Sequence, residues 1–148
     1  MKQLDTIKKL LSNQPLFAKE EGLHEAIRGR AIMVTGAGGS IGSELCRQVL
    51  PYKPRQLILL GHGEHSIFTL MSELTWRDPT VPLIPVIASV QSEARLRQTF
   101  QNLTPDVVFH AAAHKHVPLM EQNIEEAVLN NVLGTCNVVS AATESGAG

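Results

Sequence analysis

Apolar positions along the chain change period several times, and the changes mark out its elements. Short runs near 31–34, 57–60, 83–88 and 106–110 are rich in apolar residues. Leu57-Ile58-Leu59-Leu60 and Val107-Val108-Phe109 are continuously so. Unbroken runs predict strands covered by helices on both faces, because a strand with one wet face alternates apolar with polar residues. Between the runs, apolar positions recur every three or four residues, as at Ile41, Leu45 and Val49, which predicts helices near 41–50, 64–77, 92–102 and 123–144. The stripes Ile67, Leu70, Met71, Leu74 and Ile124, Ala127, Val128, Val132 are expected to face the core. Strand and helix in alternation imply a parallel sheet. Right-handed crossovers then give an α/β, doubly wound parallel sheet with strand order 3-2-1-4. Residues 1–28 stand apart, with two short helical patterns (Leu4, Ile7, Leu11; Leu23, Ile27) on either side of Asn13-Gln14-Pro15. They predict an N-terminal helical extension to a domain spanning 29–148.

In that arrangement the loops at the carboxyl ends of the strands, residues 36–42, 61–65, 88–91 and 110–118, converge on one crevice. The first loop reads Thr35-Gly36-Ala37-Gly38-Gly39-Ser40-Ile41-Gly42, directly between a strand and an amphipathic helix. Glycines at 36, 39 and 42 let the chain turn sharply, admit a pyrophosphate against the backbone and bring the helix close to the sheet. Free N–H groups at the helix start face the anion. This strand, turn and helix together predict a Rossmann-type dinucleotide cradle. In NAD-selective sites a carboxylate ends the second strand and accepts the adenosine ribose hydroxyl, but here Gly61 and His62 stand in that place. With no acid to repel a 2′-phosphate and an imidazole able to donate to it, the residues favour NADP over NAD.

Composition narrows the partners. The 148 residues, 43% hydrophobic, suffice for one core. A net charge of −1, from 13 basic and 14 acidic residues well mixed along the chain, offers no field for a nucleic acid or an anionic bilayer. No apolar run approaches a membrane span, and the first residues lack a signal-peptide core, so this segment is expected to be cytoplasmic without membrane contact. Cys46 and Cys136, each inside a predicted helix, fit small buried groups in a reducing compartment. His110, His114 and His116 lie close in sequence, but one ends a strand and the others follow in a loop with no completing Cys or carboxylate, so no metal site is expected. Ser40 and Ser43 lack the nucleophile-elbow pattern of a hydrolase.

The run His110-Ala111-Ala112-Ala113-His114-Lys115-His116-Val117-Pro118-Leu119-Met120-Glu121, followed by Asn130-Asn131-Val132-Leu133-Gly134-Thr135, is more specific than the glycine turn. It resembles the nucleotide-sugar 4,6-dehydratases of the extended short-chain dehydrogenase/reductase superfamily, in particular the UDP-N-acetylglucosamine 4,6-dehydratases of capsular polysaccharide synthesis. Leu59-Leu60-Gly61-His62-Gly63-Glu64-His65-Ser66-Ile67 is similar to their second-strand segment. The resemblance implies a UDP-sugar substrate, a nicotinamide cofactor (NADP or NAD) that removes and returns one hydride, and loss of water across C5 and C6. It implies that Gly36, Gly39, Ser40, Ile41 and Gly42 hold the pyrophosphate and that Ala111, Ala112 and Ala113 line the nicotinamide ribose. Gly61, His62, Glu64, Ser89 and Val90 would belong to the adenosine half, with Ser89 where the family often has an Asp reading the adenine amino group. Asn131 would order the neighbouring strand, and Lys115, Val117 and Glu121 would lie on the substrate side. The family's catalytic Thr-Asp-Lys segment falls after a fifth strand, beyond Gly148. Residues 29–148 are therefore expected to be an incomplete, cofactor-binding half without catalytic residues or turnover of its own. The strand edge left open would promote homo-oligomers, and the parent protein could be tethered to a membrane through upstream segments. Two other readings remain open: a UDP-sugar 4-epimerase or reductase on the same fold, and a non-catalytic nucleotide-sensing domain.

Overall fold

A computed structural model describes residues 20–148. The pattern Leu4, Ile7, Leu11 lies outside the described residues. Its companion forms helix α1 (Glu20–Ile27), which ends on the buried Ile27. Four strands, β1 (Ala31–Thr35), β2 (Gln56–Gly61), β3 (Leu83–Ile87) and β4 (Val107–His110), pair in parallel in the order β3-β2-β1-β4. The register sets Val34 beside Leu59 and Phe109, and Leu59 beside Pro85. Helices α2 (Ser40–Val49), α3 (Glu64–Arg77) and α4 (Glu93–Leu103) make the crossovers. The chain then closes with α5 (Val117–Glu121), α6 (Ile124–Val128), a π-helical turn (Leu129–Leu133) and α7 (Gly134–Ser145).

Period-two geometry divides each central strand between two cores. Ile32, Val34, Leu57 and Leu59 pack with Cys46, Val49, Ile67, Leu70 and Leu74 of α2 and α3. Met33, Ile58, Leu60 and Val86 pack with Leu96 and Phe100 of α4 and Val138 and Ala141 of α7. The unbroken apolar reading thus holds for Leu57, Ile58, Leu59 and Leu60 of β2, all fully buried, as is the whole of β1. β4, at the sheet edge, is only half-buried. Its outer edge is not bare, because Gly148 N donates to Asp106 O and Gly148 O accepts from Val108 N, the bond pair of a parallel bridge. At the same, amino-terminal end of the strands, the Asp106 carboxylate accepts Ala31 N at 2.6 Å and Arg55 at 3.0 Å.

Four expectations about the last helices are corrected. The single helix foreseen near 123–144 is divided by the π-helical turn, and the short helix α5 forms where a loop was expected, with Pro118 in its first turn. The stripe Ile124, Val128, Val132 is not core: these side chains are 66%, 46% and 53% exposed, and Ala127 is only partly buried. The face that meets the sheet is instead Asn130, Gly134, Val138 and Ala141, small or polar residues that let the helix come close. A methyl group built at Gly134 would stand 2.7 Å from Val90 Cγ2, so the close approach needs glycine there. Cys136, expected buried like Cys46, lies off that face and is exposed. No helix of the described residues is long and apolar enough to cross a membrane.

Candidate functional site

The four carboxyl-end loops do converge, around a cleft of about 270 Å³. Its floor is the glycine turn. Gly36 has φ +65°, a conformation that side chains resist, and a methyl group there would also stand 2.5 Å from Ala111 O. At Gly42 the same group would overlap Gly36 O, whereas at Gly39 it would meet only Gly36 O, at 3.2 Å. Gly36 and Gly42 therefore serve the fold. Gly39 lines the cleft, and a side chain there needs only a few tenths of an ångström of give at Gly36 O but takes the space above the turn.

The start of α2 differs from those of α3 and α4. Its N-cap, Gly39, makes no side-chain capping bond and its first turn has no acid, while α3 and α4 carry Glu64 and Glu93 in theirs. The first N–H groups of a helix have no intrahelical partner. At α2 they are left with the positive end of the helix dipole and no charge of the chain's own to meet it, which is a setting for an external anion. Ser40 and Ile41, exposed in that first turn, contribute those N–H groups rather than wall. Gly42 is buried beneath them.

On the β2 side Gly61, His62, Gly63 and Ser66 line the cleft, and Ser66 donates to Gly63 O at 2.8 Å. Glu64 is exposed at the start of α3 and stays off the lining. On the β3 side Ala88 and Val90 form an apolar wall. Ser89 turns away from it, its oxygen accepting Gln91 N at 3.2 Å.

The β4 side is fixed by polar side chains. Ala111, Ala112, Ala113 and His114 line the cleft. Asn131 holds both backbone groups of His114, its Oδ1 accepting His114 N at 2.8 Å and its Nδ2 donating to His114 O at 2.9 Å. It orders the loop after β4 rather than the strand. The buried Asn130 donates to Ala112 O at 2.7 Å and to Asn131 Oδ1 at 2.9 Å, and itself reaches the lining. Behind the wall, His110 Nδ1 lies 2.6 Å from Thr35 Oγ1 and Nε2 lies 3.1 Å from Thr135 Oγ1. Thr135 donates its proton to Asn131 O at 2.7 Å, so it accepts from Nε2–H, and Nδ1 accepts from Thr35. Partial burial of this neutral ring pushes its pKa below the usual histidine value. Glu126 on α6 accepts Gln91 Nε2 at 2.7 Å and His114 Nε2 at 3.1 Å, and these bonds, that from His114 foremost, hold its carboxyl below the usual range.

Lys115, Val117 and Glu121 are exposed past His114, in the loop and on α5, outside the cleft lining. No group of three or more potential metal ligands occurs among the described residues. Leu60, Ser66 and Asn130 are lining residues outside the four loops that the sequence brought to the crevice. The tandem Asn130-Asn131 was the available signal for the last, since a polar pair inside an apolar helical pattern calls for buried partners.

A 3-2-1-4 parallel sheet with a glycine turn at its central strand and a cleft over the carboxyl ends defines a Rossmann-type α/β domain. Comparison with known proteins narrows the class. The chain belongs to the family described as polysaccharide biosynthesis protein, whose model matches residues 32–148. It is 48% identical over 138 residues to the probable polysaccharide biosynthesis protein EpsC of Bacillus subtilis (strain 168), covering 93% of this chain and 23% of that protein. It is 34% identical over 116 residues to a UDP-N-acetylglucosamine 4,6-dehydratase (inverting) of Campylobacter jejuni, covering 78% of this chain and 33% of the enzyme. Among solved structures, the Bordetella bronchiseptica enzyme WbmG in complex with NAD and UDP superposes with a TM-score of 0.62 at 25% identity, over 78% of this chain and 34% of that one. The chain thus spans about a quarter to a third of the length of these two relatives.

Proposed function

We propose that residues 29–148 bind NADP as part of a nucleotide-sugar 4,6-dehydratase of polysaccharide synthesis, with UDP-N-acetylglucosamine as substrate. The likeness to EpsC and to the Campylobacter enzyme supports the class. The observation that carries the reading is the start of α2, a helix with neither cap nor acid, facing a cleft that a side chain at Gly39 would fill. The cofactor, when bound, supplies the hydride chemistry. The residues of this chain bind and orient it. The N–H groups at Ser40 and Ile41 receive the pyrophosphate, and Ala111 to Ala113 bring backbone close to the nicotinamide ribose. Asn131 keeps that loop in place through His114. His62 and the absence of an acid at Gly61 admit a 2′-phosphate. Lys115, Val117 and Glu121, exposed beyond the nicotinamide wall, take the side where the sugar nucleotide approaches. Residues 20–28 belong to an extension to this domain, in a cytoplasmic protein.

Calorimetric titration with NADPH and NADH tests the reading. NADPH is expected to bind at least as tightly as NADH. Gly39→Val should lose at least tenfold in affinity, about 1.4 kcal/mol, while keeping a cooperative melting transition. Gly61→Asp should reverse the cofactor order; the new side chain meets the flexible end of Ile67 at 3.1 Å and so can be housed. Equal binding by wild type and Gly39→Val would sink the cofactor assignment, and a tenfold wild-type preference for NADH would sink the NADP assignment. Conversion of UDP-N-acetylglucosamine by the whole protein to a 4-keto-6-deoxy sugar, rather than to its C4 epimer, separates the dehydratase from an epimerase.

A further inference from the structure

The two oxygens of Glu126 are used unequally. Oε1 accepts both Gln91 Nε2 and His114 Nε2, tying the loops after β3 and β4 to α6 at one atom, while Oε2 has no hydrogen bond among the described residues. The side chain is about half exposed and stands outside the cleft lining, at the rim formed beside the lining residue His114. Below this rim the wall is apolar, formed by the buried Ala88 and Val90. The hydroxyl nearest in sequence, Ser89, stands off the lining beside Gln91 N. A dinucleotide whose pyrophosphate sits at the start of α2 has its adenosine ribose at the end of β2. Its base then falls at the next strand's loop, with Ala88 and Val90 against its faces and the rim at its edge.

An exocyclic amino group at that edge is a donor, and an ionised carboxylate oxygen with both lone pairs open is a strong acceptor for it. We propose that Glu126 Oε2 accepts the 6-amino group of adenine, so that the base is read from the helix after β4 and not from the end of β3. The proposal rests on the cofactor reading above and adds the residue that selects the base.

Direct binding of NADP and of its deaminated analogue, nicotinamide hypoxanthine dinucleotide phosphate, tests it on the purified protein. The analogue places a carbonyl where adenine has its amino group, so it meets the carboxylate with an acceptor. Wild type should bind NADP about tenfold more tightly than the analogue, the size of one charge-assisted hydrogen bond. Glu126→Gln offers an amide that can accept from one base or donate to the other and should bring the ratio to about one. The half-exposed position lets both forms fold, which matched melting curves check. A wild-type ratio near one overturns the proposal. So does an unchanged ratio in Glu126→Gln, whether affinity for both ligands falls together, as for a carboxylate that only ties loops, or stays put, as when the Asn130 carboxamide oxygen reads the base. In each of these cases NADP still binds and the cofactor reading stands. Failure of wild type to bind either ligand overturns the cofactor reading and the proposal with it.

Discussion

The two flanks of the cleft are built by different means. On the β1 and β2 flank the apolar residues of the strands are fully buried, the loops are glycine-rich, and position is fixed by packing. On the β4 flank the strand is half-buried, and its loop is held by side-chain hydrogen bonds from Thr35, Thr135, Asn130, Asn131 and Glu126. Packing tolerates no loss of volume but is indifferent to pH, whereas polar ties are sensitive to the protonation and identity of each partner. A rigid flank suits an invariant pyrophosphate, and a flank of directed bonds suits discrimination between ligands. The two should fail differently.

The largest expected effect is on the packed flank. Leu59→Ala deletes a side chain with no exposure from the core that β1 and β2 share with α2 and α3, and should cost about 3 kcal/mol in urea unfolding. Phe109→Ala on β4 removes more atoms but from a half-buried site, and should cost less. The reverse order would break the contrast between the flanks.

The same contrast decides what the sequence made legible. β1 and β2 announce themselves because burial on both faces demands continuous apolar residues, and the strand order follows from alternation with helices. The glycine turn is legible because φ +65° at Gly36 and the contact at Gly42 leave few alternatives to glycine. The β4 flank is less so. Periodicity shows that the chain after residue 123 has an apolar face, not which face meets the sheet. There the close approach at Gly134 selected small residues for the buried side and left Ile124, Val128 and Val132 outside. Asn130 and Glu126 depend on partners 18 and 35 residues earlier, in loops whose course no local pattern describes. The π-helical turn at Leu129–Leu133 shifts the helical register just where these residues sit, so a uniform period misplaces them.

A middle-sized effect should appear with pH on the β4 flank. His110 is neutral, with its proton on Nε2 and the Thr35 hydroxyl directed at Nδ1, so a second proton would oppose that hydroxyl. Its folded pKa is lowered from the ordinary 6.5, so the unfolded chain binds the proton first as pH falls. Stability is therefore full above 6.5 and declines as pH drops from there through the folded pKa. The melting temperature of wild type should fall more between pH 7 and 5 than that of His110→Gln, which has no proton to bind. Parallel curves for the two proteins would show that the ring is not held neutral by this network.

The smallest effect tests the corrected face of α7. Val138 and Val139 are neighbours on one helix, the first 3% and the second 57% exposed, so the same substitution at each separates burial from every other property of the site. Val138→Ala removes two methyl groups from the cluster with Met33, Ile58 and Phe100 and should cost about 2 kcal/mol. Val139→Ala removes them from solvent, and alanine's better helix propensity offsets what contact is lost, leaving a change within about 0.5 kcal/mol. Both are read by urea unfolding of the 148-residue chain, with the slope against denaturant checked for constancy. A cost at Val139 comparable with that at Val138 would mean that the outer face of α7 is covered in solution, and the assignment of Ile124, Val128 and Val132 to the surface would fall with it.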